Sequence, residues 1–285
     1  MWKRRILFYF LFVILFFAYN FYFRPIKGNK LVTEEYKNSS AYINELYKSD
    51  EYFKKNILNE ENYHIYDEII DASKNNKHDV IIHCDNCSSK MTGIYEAISL
   101  DHPELISFYT IRYKIHYGEI IYENTDNLNV VQSYLGAKRI AREMENIRRD
   151  TKDMSDKEKI IYVYDYVAAH NYDHLFTYSM SNQSAYSFFT KRKTVCAGFA
   201  KASQIIFQNI GINSYLALSQ EHMWNYVEYE NKYYVFDATV GACSKKGYPS
   251  YYEGLGRTTQ DSTKCLFPEL YPPIEETTLQ ELFNL

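Results

Sequence analysis

One stretch of this 285-residue chain, from Thr194 to Thr239, constrains its fold more than any other because it predicts a helix and a hairpin in succession. Cys196 begins an apolar run whose members recur at helical spacing, and Gly211 stands where such a helix would end. The thiol therefore lies in the first turn of the predicted helix. Backbone N–H groups and the helix dipole favour negative charge there, so they favour the reactive thiolate.

A β-hairpin is predicted directly after this helix. The segments His222–Tyr229 and Lys232–Thr239 are both rich in aromatic and β-branched residues. Between them, Glu230-Asn231 fits a two-residue turn, because Asn can take the positive φ that such turns require. The turn also sets the register, since the two residues that flank it must pair with each other.

The predicted register brings two titratable side chains together. Counting back from the turn, Trp224 lies opposite Asp237 and His222 lies opposite Thr239. His222 and Asp237 then share one face of the sheet as diagonal neighbours, about 7–8 Å apart at the backbone and within side-chain reach. A slip of one residue would place them on opposite faces, so the prediction depends on the turn.

Cys196, His222 and Asp237 together match the requirements of acyl-transfer chemistry. A thiol nucleophile needs an adjacent base to share its proton, and the base needs a third group that fixes its tautomer. His222 is the candidate base and Asp237 the candidate orienting group, while the backbone N–H of Cys196 would face the developing oxyanion. Trp224 would shield the His–Asp pair from water, although a purely structural role fits this Trp nearly as well.

The sequence around these residues resembles the three motifs of the transglutaminase-like superfamily, in the order found in that family. The matching segments are Val195–Ala200 (VCAGFA), His222–Asn225 (HMWN) and Asp237–Thr239 (DAT). The family often has Trp after the third motif, where this chain has Val240, a departure expected to affect packing more than chemistry. The resemblance implies an α+β fold with a papain-like core, in which the catalytic Cys begins a helix packed on an antiparallel sheet.

The resemblance also implies a role for each of the three residues: Cys196 as nucleophile, His222 as base and Asp237 as orienting carboxylate. In many bacterial proteins of this type, an Asp-x-Pro-Glu turn followed by a hairpin precedes the catalytic core, and Asp101–Glu104 is a similar turn. Bacterial relatives include proteases, peptidoglycan-associated enzymes and true transglutaminases. The resemblance therefore leaves both hydrolysis and amine transfer open.

A second oxyanion donor is expected upstream of the cysteine, where papain-like enzymes generally place one. The polar, aromatic loop over residues 176–193 offers Gln183, Ser184 and Tyr186, of which Gln183 is the preferred candidate. A loop amide that bonds only to backbone explains Gln183 at least as well. Gln183 and Trp224 are thus the predicted oxyanion or substrate-binding residues.

The N-terminal segment predicts a membrane anchor. An apolar run from Ile6 to Phe23 follows Lys3-Arg4-Arg5 and is closed by Arg24-Pro25. The run is long enough for one bilayer crossing, and the positive charges ahead of it favour a cytoplasmic N-terminus, with the rest of the chain outside. A cleaved signal peptide is the alternative, but the run lacks a small-x-small cleavage site.

The chain divides into predicted segments, namely an anchor over 1–25, a tether over 26–40, a mixed α/β leader over 41–151 and a catalytic domain over 152–285. In the leader, residues 107–115 and 119–122 predict a hairpin, and the leader is expected to shape or cover the cleft. Ser155 and Glu158 have capping-box spacing and predict a helix that runs to Tyr172.

The other cysteines of the chain are Cys84, Cys87, Cys243 and Cys265. Cys84 and Cys87 form a C-x-x-C pair, and the histidines near it lie in the same short segment. Zinc prefers four well-placed ligands, so this crowding argues against a zinc site. A redox role is conceivable after the predicted strand; two unremarkable thiols or a local disulfide are simpler. Cys243 and Cys265 could pair outside the cell.

Composition narrows the possible partners. A net charge of −4 without a long basic block argues against nucleic acid. The 30 Tyr and 17 Phe could stack on sugars or line a peptide groove, although core packing explains such a content more often.

We therefore expect a membrane-anchored, extracytoplasmic cysteine enzyme that acts on a protein, peptide or peptidoglycan substrate. Hydrolysis is favoured over transfer of a glutamine acyl group to an amine. A non-catalytic surface module that binds protein or cell-wall glycan is the alternative from another class. The chemistry of the expected enzyme requires no metal and no organic cofactor.

Overall fold

The computed structural model describes most of the chain beyond its first segment. The described residues are 47–74, 80–84, 87–105, 111–116, 119–124, 130–174, 182–191, 193–244, 246–260 and 264–285. The predicted anchor and tether, residues 1–25 and 26–40, lie outside these ranges. Within them, we find no helix with the length and apolar character needed to cross a bilayer.

The fold contains both helices and strands. The helices are α1 (Tyr52–Ile57), α2 (Tyr63–Lys74), α3 (Cys87–Asp101), α4 (Val130–Thr151), α5 (Asp156–Ala168), α6 (Ala185–Lys191), α7 (Cys196–Asn209), α8 (Ala238–Ala242) and α9 (Leu279–Phe283). The strands are β1 (Val80–His83), β2 (Ile111–His116), β3 (Glu119–Asn124), β4 (Asn171–Tyr172), β5 (Lys193–Thr194), β6 (Ser214–Leu218), β7 (Met223–Tyr229) and β8 (Lys232–Phe236). They form sheets in the orders β1-β3-β2, β4-β5 and β6-β7-β8.

The predicted hairpin is present as β7 and β8, and its turn has the predicted conformation. Glu230 has a φ of 51° and Asn231 a φ of 61°, so both take the left-handed conformation of a type I′ turn. The flanking residues Tyr229 and Lys232 pair, and the antiparallel ladder continues in that register to the end of β8. The prediction of the turn and of its register is therefore confirmed.

The ladder ends one pair before the predicted contact of Trp224 with Asp237. β8 stops there because Asp237 becomes the N-cap of α8, where its carboxylate accepts a hydrogen bond from the Thr239 N–H. Trp224 instead pairs with Ala217 of β6 on its other side. The predicted ladder pairs at this end are thus wrong, although His222 and Asp237 still meet through their side chains.

Helix α7 packs on the β6-β7-β8 sheet, as predicted for an α+β core. The helix begins at Cys196 and ends before Gly211, whose φ of 78° suits a residue without a side chain. Asn225 of β7 ties the sheet to this helix, because its amide donates to the Ala200 carbonyl at 3.1 Å and to Gln204 Oε1 at 3.2 Å. A buried amide with two acceptors fixes the helix relative to the strand.

Two apolar cores flank α7. One joins α7 to α4, α5 and α6 and contains Tyr164, Phe199 and Ile206. The other joins the region before α4 to the β6-β7-β8 sheet and contains Ile98 and Trp224. Because α7 is covered from both sides, its N-terminus has a fixed position.

Helix α5 starts as predicted and ends early. The capping box is formed, with the Ser155 N–H donating to the Glu158 carboxylate at 2.8 Å. The helix stops at Ala168 rather than at Tyr172, because Asn171 and Tyr172 pair as a parallel strand with β5. This pairing places Tyr172 beside Thr194, two residues before the nucleophile candidate.

The region before α4 contains the predicted hairpin as β2 and β3, and β1 pairs with the other edge of β3. Its helices are held together by the buried side chain of Asp101. This carboxylate accepts hydrogen bonds from the N–H groups of Phe53 and Lys54, at 2.9 and 2.8 Å, and from the Tyr66 hydroxyl at 3.0 Å. One acidic residue of the Asp-x-Pro-Glu turn thus connects α1, α2 and α3.

The cysteines differ in oxidation state. Cys84 is disulfide-bonded, whereas Cys196, Cys243 and Cys265 are free thiols. A disulfide between Cys243 and Cys265 is therefore not formed. Cys196 is free, as a nucleophile must be.

Gly254 lies directly against the backbone of Asp237. The Asp237 N–H donates to the Gly254 carbonyl at 3.0 Å. A Cβ placed on Gly254 would lie 2.0 Å from the Asp237 carbonyl oxygen and 2.7 Å from the Tyr164 hydroxyl. Only glycine therefore lets this segment pass so close to the start of α8.

Gly254→Ala should destabilise the protein by roughly 1–3 kcal/mol, because the added methyl group must displace backbone rather than a mobile side chain. Urea denaturation measures the free energy of unfolding. Gly93→Ala is the matched control, since a Cβ there would lie 3.5 Å from its nearest neighbours and alanine favours the helix. Equal stability of the two variants would contradict the tight approach of Gly254 to Asp237.

Candidate active site

Cys196 lies at the N-terminus of α7, in the position predicted from the sequence. Val195 is the N-cap residue, and its own N–H donates to the Asn182 carbonyl at 3.2 Å. Gly198 allows the chain entering the helix to pack closely, because a Cβ there would lie 1.9 Å from the Thr194 hydroxyl oxygen. The Cys196 side chain is partly exposed.

His222 lies in the turn that precedes β7. The turn is closed by Ser219, whose N–H donates to the His222 carbonyl at 2.8 Å and whose Oγ accepts from the His222 N–H at 3.0 Å. The imidazole stacks on the Trp224 ring, with centroids 5.9 Å apart and planes inclined by 17°. Backbone and ring contacts thus both restrict the orientation of the imidazole.

The buried carboxylate of Asp237 orients the imidazole from the other side. His222 Nε2 lies 2.8 Å from Asp237 Oδ2, and the Thr239 N–H donates to Oδ1 at 3.1 Å. Arg257 Nη1 also contacts Oδ2, at 3.3 Å. The Asp237 side chain is only 2% exposed, so these contacts form away from bulk water.

The surroundings of His222 favour its protonated form. Burial lowers the pKa of the imidazole, but hydrogen bonds with the Asp237 carboxylate and the Cys196 thiol outweigh burial and raise the pKa to about 10. At neutral pH the ring therefore carries a positive charge at the cleft that Cys196 also lines. Since Nε2 faces Asp237, Nδ1 is the nitrogen left for Cys196.

An open cleft of about 600 Å³ runs past Cys196 and His222. Gln183, the preferred candidate for the second oxyanion donor, is one of the residues that line this cleft. Tyr95 and Ser99 of α3 line it as well, so the region before α4 contributes to one wall. The site therefore has room for a substrate next to the sulfur.

Trp224 does not reach the cleft. Its side chain is 1% exposed and lies in the core below the imidazole. The structure therefore places this predicted substrate-binding residue where it supports His222 rather than where a substrate would bind. Trp224 belongs to β7 and pairs with Ala217 of β6, and in this position its indole points inward.

Two residues of the site escaped the sequence analysis. Arg257 follows Asp237 in the chain, but their separation matches no helix or strand period, so the sequence gives no sign that the two side chains meet. Tyr172 lines the cleft and pairs with Thr194, two residues before Cys196. The pair Tyr172-Asp173 was visible in the sequence, but its position beside Cys196 depends on the β4-β5 pairing.

Fold and site together define an α+β protein with a thiol, an imidazole and a carboxylate grouped at one cleft. Residues 140–238 match the model of the Transglutaminase-like superfamily. The matched region is about a third of the chain, and it includes Cys196, His222 and Asp237. No curated protein matches the sequence.

Two solved structures resemble parts of the chain at 17% sequence identity. One is described as a candidate cysteine protease from Cytophaga hutchinsonii; the similarity covers 35% of this chain and 37% of that protein, with a TM-score of 0.29. The other is described as a TGase; the similarity covers 73% of this chain and 61% of that protein, with a TM-score of 0.34. The chain thus spans less than two thirds of either protein.

Iodoacetamide should alkylate Cys196 faster than Cys243 and Cys265 at about pH 6, where an ordinary thiol is almost fully protonated. Burial raises the pKa of both other thiols, whereas Cys196 lies at a helix N-terminus in the same cleft as the charged His222 imidazole. Trypsin releases residues 194–201 with Cys196 as their single cysteine, so mass spectrometry measures each thiol separately.

His222→Ala is the matched variant for this experiment, because it removes the charge and leaves the helix N-terminus unchanged. Its Cys196 should react at about the rate of Cys265. Equal and slow alkylation of Cys196 in both proteins would exclude a functional Cys196–His222 ion pair.

Proposed function

We propose that this protein is a cysteine-dependent acyl-transfer enzyme that attacks an amide through Cys196, with hydrolysis as the favoured outcome. The observation that carries the proposal is that Cys196, at the start of α7, lines the same open cleft as His222, whose ring lies 2.8 Å from the buried Asp237 carboxylate. This is the nucleophile, base and orienting group that thiol-based acyl transfer needs.

The geometry supports a two-step reaction. The Cys196 thiolate attacks the amide carbonyl, and the protonated imidazole of His222 gives its proton to the departing amine, which leaves a thioester on the sulfur. His222, now neutral, takes a proton from an incoming water molecule or amine, and the thioester breaks to regenerate Cys196. Asp237 holds the ring in the tautomer that both steps require.

The oxyanion of each step needs donors near the sulfur. The backbone N–H of Cys196 supplies one at the start of α7. We propose the Gln183 amide as the second, because it lines the same cleft. The Tyr172 hydroxyl is the competing candidate, since Tyr172 lines the same cleft.

The substrate class we propose is a protein, a peptide or a peptidoglycan stem peptide. The match of residues 140–238 to the Transglutaminase-like superfamily supports amide chemistry of this general kind. Attachment to a membrane, with the site outside the cytoplasm, is part of the proposal and rests on the sequence of residues 3–25.

Product analysis separates hydrolysis from transfer. The protein is incubated with a peptide library and with peptidoglycan fragments in ¹⁸O-water, with and without a biotinylated primary amine. Hydrolysis places the heavy oxygen in a new carboxylate, and we expect this product to dominate in both incubations. Cys196→Ala should abolish it. A biotin-labelled amide as the main product would favour amine transfer, and the absence of any Cys196-dependent product would favour a binding module.

Gln183→Ala should lower kcat by about 10- to 1000-fold with little change in KM, as expected for the loss of a group that acts only in the transition state. Tyr172→Phe is the matched variant, since it removes one hydroxyl from the same cleft. Steady-state kinetics on the best substrate compares the two. Normal kcat in the Gln183 variant together with a large loss in the Tyr172 variant would transfer the oxyanion role to Tyr172.

A further inference from the structure

We propose that Arg257 is a positioning residue for the acyl-transfer reaction, because its guanidinium holds the Asp237 carboxylate in place and balances its charge while His222 gains and loses a proton. The inference rests on the proposed function and adds to it a residue outside the Cys–His–Asp group. Among the described residues that line the cleft Arg257 does not appear, and its ion pair is with Asp237, so we assign its effect to Asp237.

Arg257 contacts the same carboxylate oxygen of Asp237 that faces the imidazole of His222. Arg257 Nη1 lies 3.3 Å from Asp237 Oδ2, the same atom that faces His222 Nε2 at 2.8 Å. The carboxylate is 2% exposed, whereas the Arg257 side chain is 34% exposed and reaches in from the surface. The buried anion thus contacts two cations, both at Oδ2, when His222 is protonated.

The backbone places Arg257 at this point with little freedom. Gly254 accepts the Asp237 N–H at 3.0 Å, and the Leu255 carbonyl accepts the Gln280 N–H, also at 3.0 Å. Leu255 is fully buried in the core next to Tyr164. The segment leading to Arg257 is therefore fixed to the start of α8 and to α9.

The reaction itself gives Arg257 its role. When His222 hands its proton to the leaving amine, Asp237 loses one of its two positive neighbours, and an unbalanced buried carboxylate is strongly disfavoured. Arg257 stays charged throughout, since a guanidinium does not deprotonate in proteins. It therefore stabilises Asp237 in the half of the cycle in which the imidazole is neutral, and it makes His222 a better proton donor.

The other titratable groups near Asp237 do not change their charge around neutral pH. Tyr164, Tyr172 and Cys243 face Asp237, and burial raises the pKa of each of them, so all three stay neutral at neutral pH. Glu221 precedes His222 in the chain and is exposed. Its carboxylate is present in every variant and cancels in the comparison.

The test follows the alkylation rate of Cys196 as a function of pH in Arg257→Gln, Arg257→Lys and the unaltered protein. Removing a cation favours the protonated form of every nearby group. The profile has two limbs, one for loss of the thiol proton and one for loss of the imidazolium proton. Both limbs should therefore move to higher pH by roughly half a unit or more in the Gln variant. The Lys variant should return both limbs toward their original positions.

Arg149→Gln is the matched control, because Arg149 is 67% exposed and, within the described part of the chain, forms its ion pair with Asp150. It should leave both limbs unchanged. On substrate, the Gln variant should lose kcat by about 10-fold or more with KM little changed, the pattern of a group that acts in the transition state.

Limbs of the Gln variant that superimpose on those of the unaltered protein would overturn the inference, and so would limbs that move equally in the Gln and Lys variants. If the Gln variant does not fold, the Lys variant decides: unchanged limbs support the role of the charge, and limbs shifted upward contradict it. Failure of the proposed function has a different signature, because Cys196 of the unaltered protein would then react no faster than Cys243 at acid pH.

Discussion

The rest of the site depends on the buried carboxylate of Asp237. A buried charge is tolerated only when hydrogen bonds and opposite charges replace the lost water. Here the partners are the Thr239 N–H, the His222 ring and the Arg257 guanidinium. They come from a helix cap, the turn before β7 and the segment after α8, so one side chain aligns three separate parts of the chain.

Much of this arrangement could be predicted because it is encoded by neighbours in the sequence. The type I′ turn at Glu230-Asn231 depends on two residues, and it fixes a register that runs along the whole of β8. The start of α7 at Cys196 depends in the same way on its own apolar spacing. Local rules alone therefore predict that His222 lies close to Asp237, with no knowledge of tertiary contacts.

Other parts could not be predicted, since they depend on contacts between distant segments. β8 ends early because Asp237 caps α8 instead of forming one more ladder pair with Trp224. Both arrangements satisfy the local rules. Helix α5 ends early because β4 finds a parallel partner far along the chain. Trp224 turns inward for a similar reason, and Arg257 reaches Asp237 only through the packing of Gly254 against the start of α8. No sequence period connects residues of this kind.

One wall of the cleft comes from a different part of the chain than the three grouped side chains. Cys196, His222 and Asp237 all lie within the span that matches the Transglutaminase-like superfamily, whereas Tyr95 and Ser99 of α3 lie outside it. Substitutions in α3 alter the shape of the cleft without touching the sulfur or its base. The shape of the cleft can therefore change through α3 while Cys196, His222 and Asp237 stay as they are, and two chains with the same three motifs need not bind the same molecule.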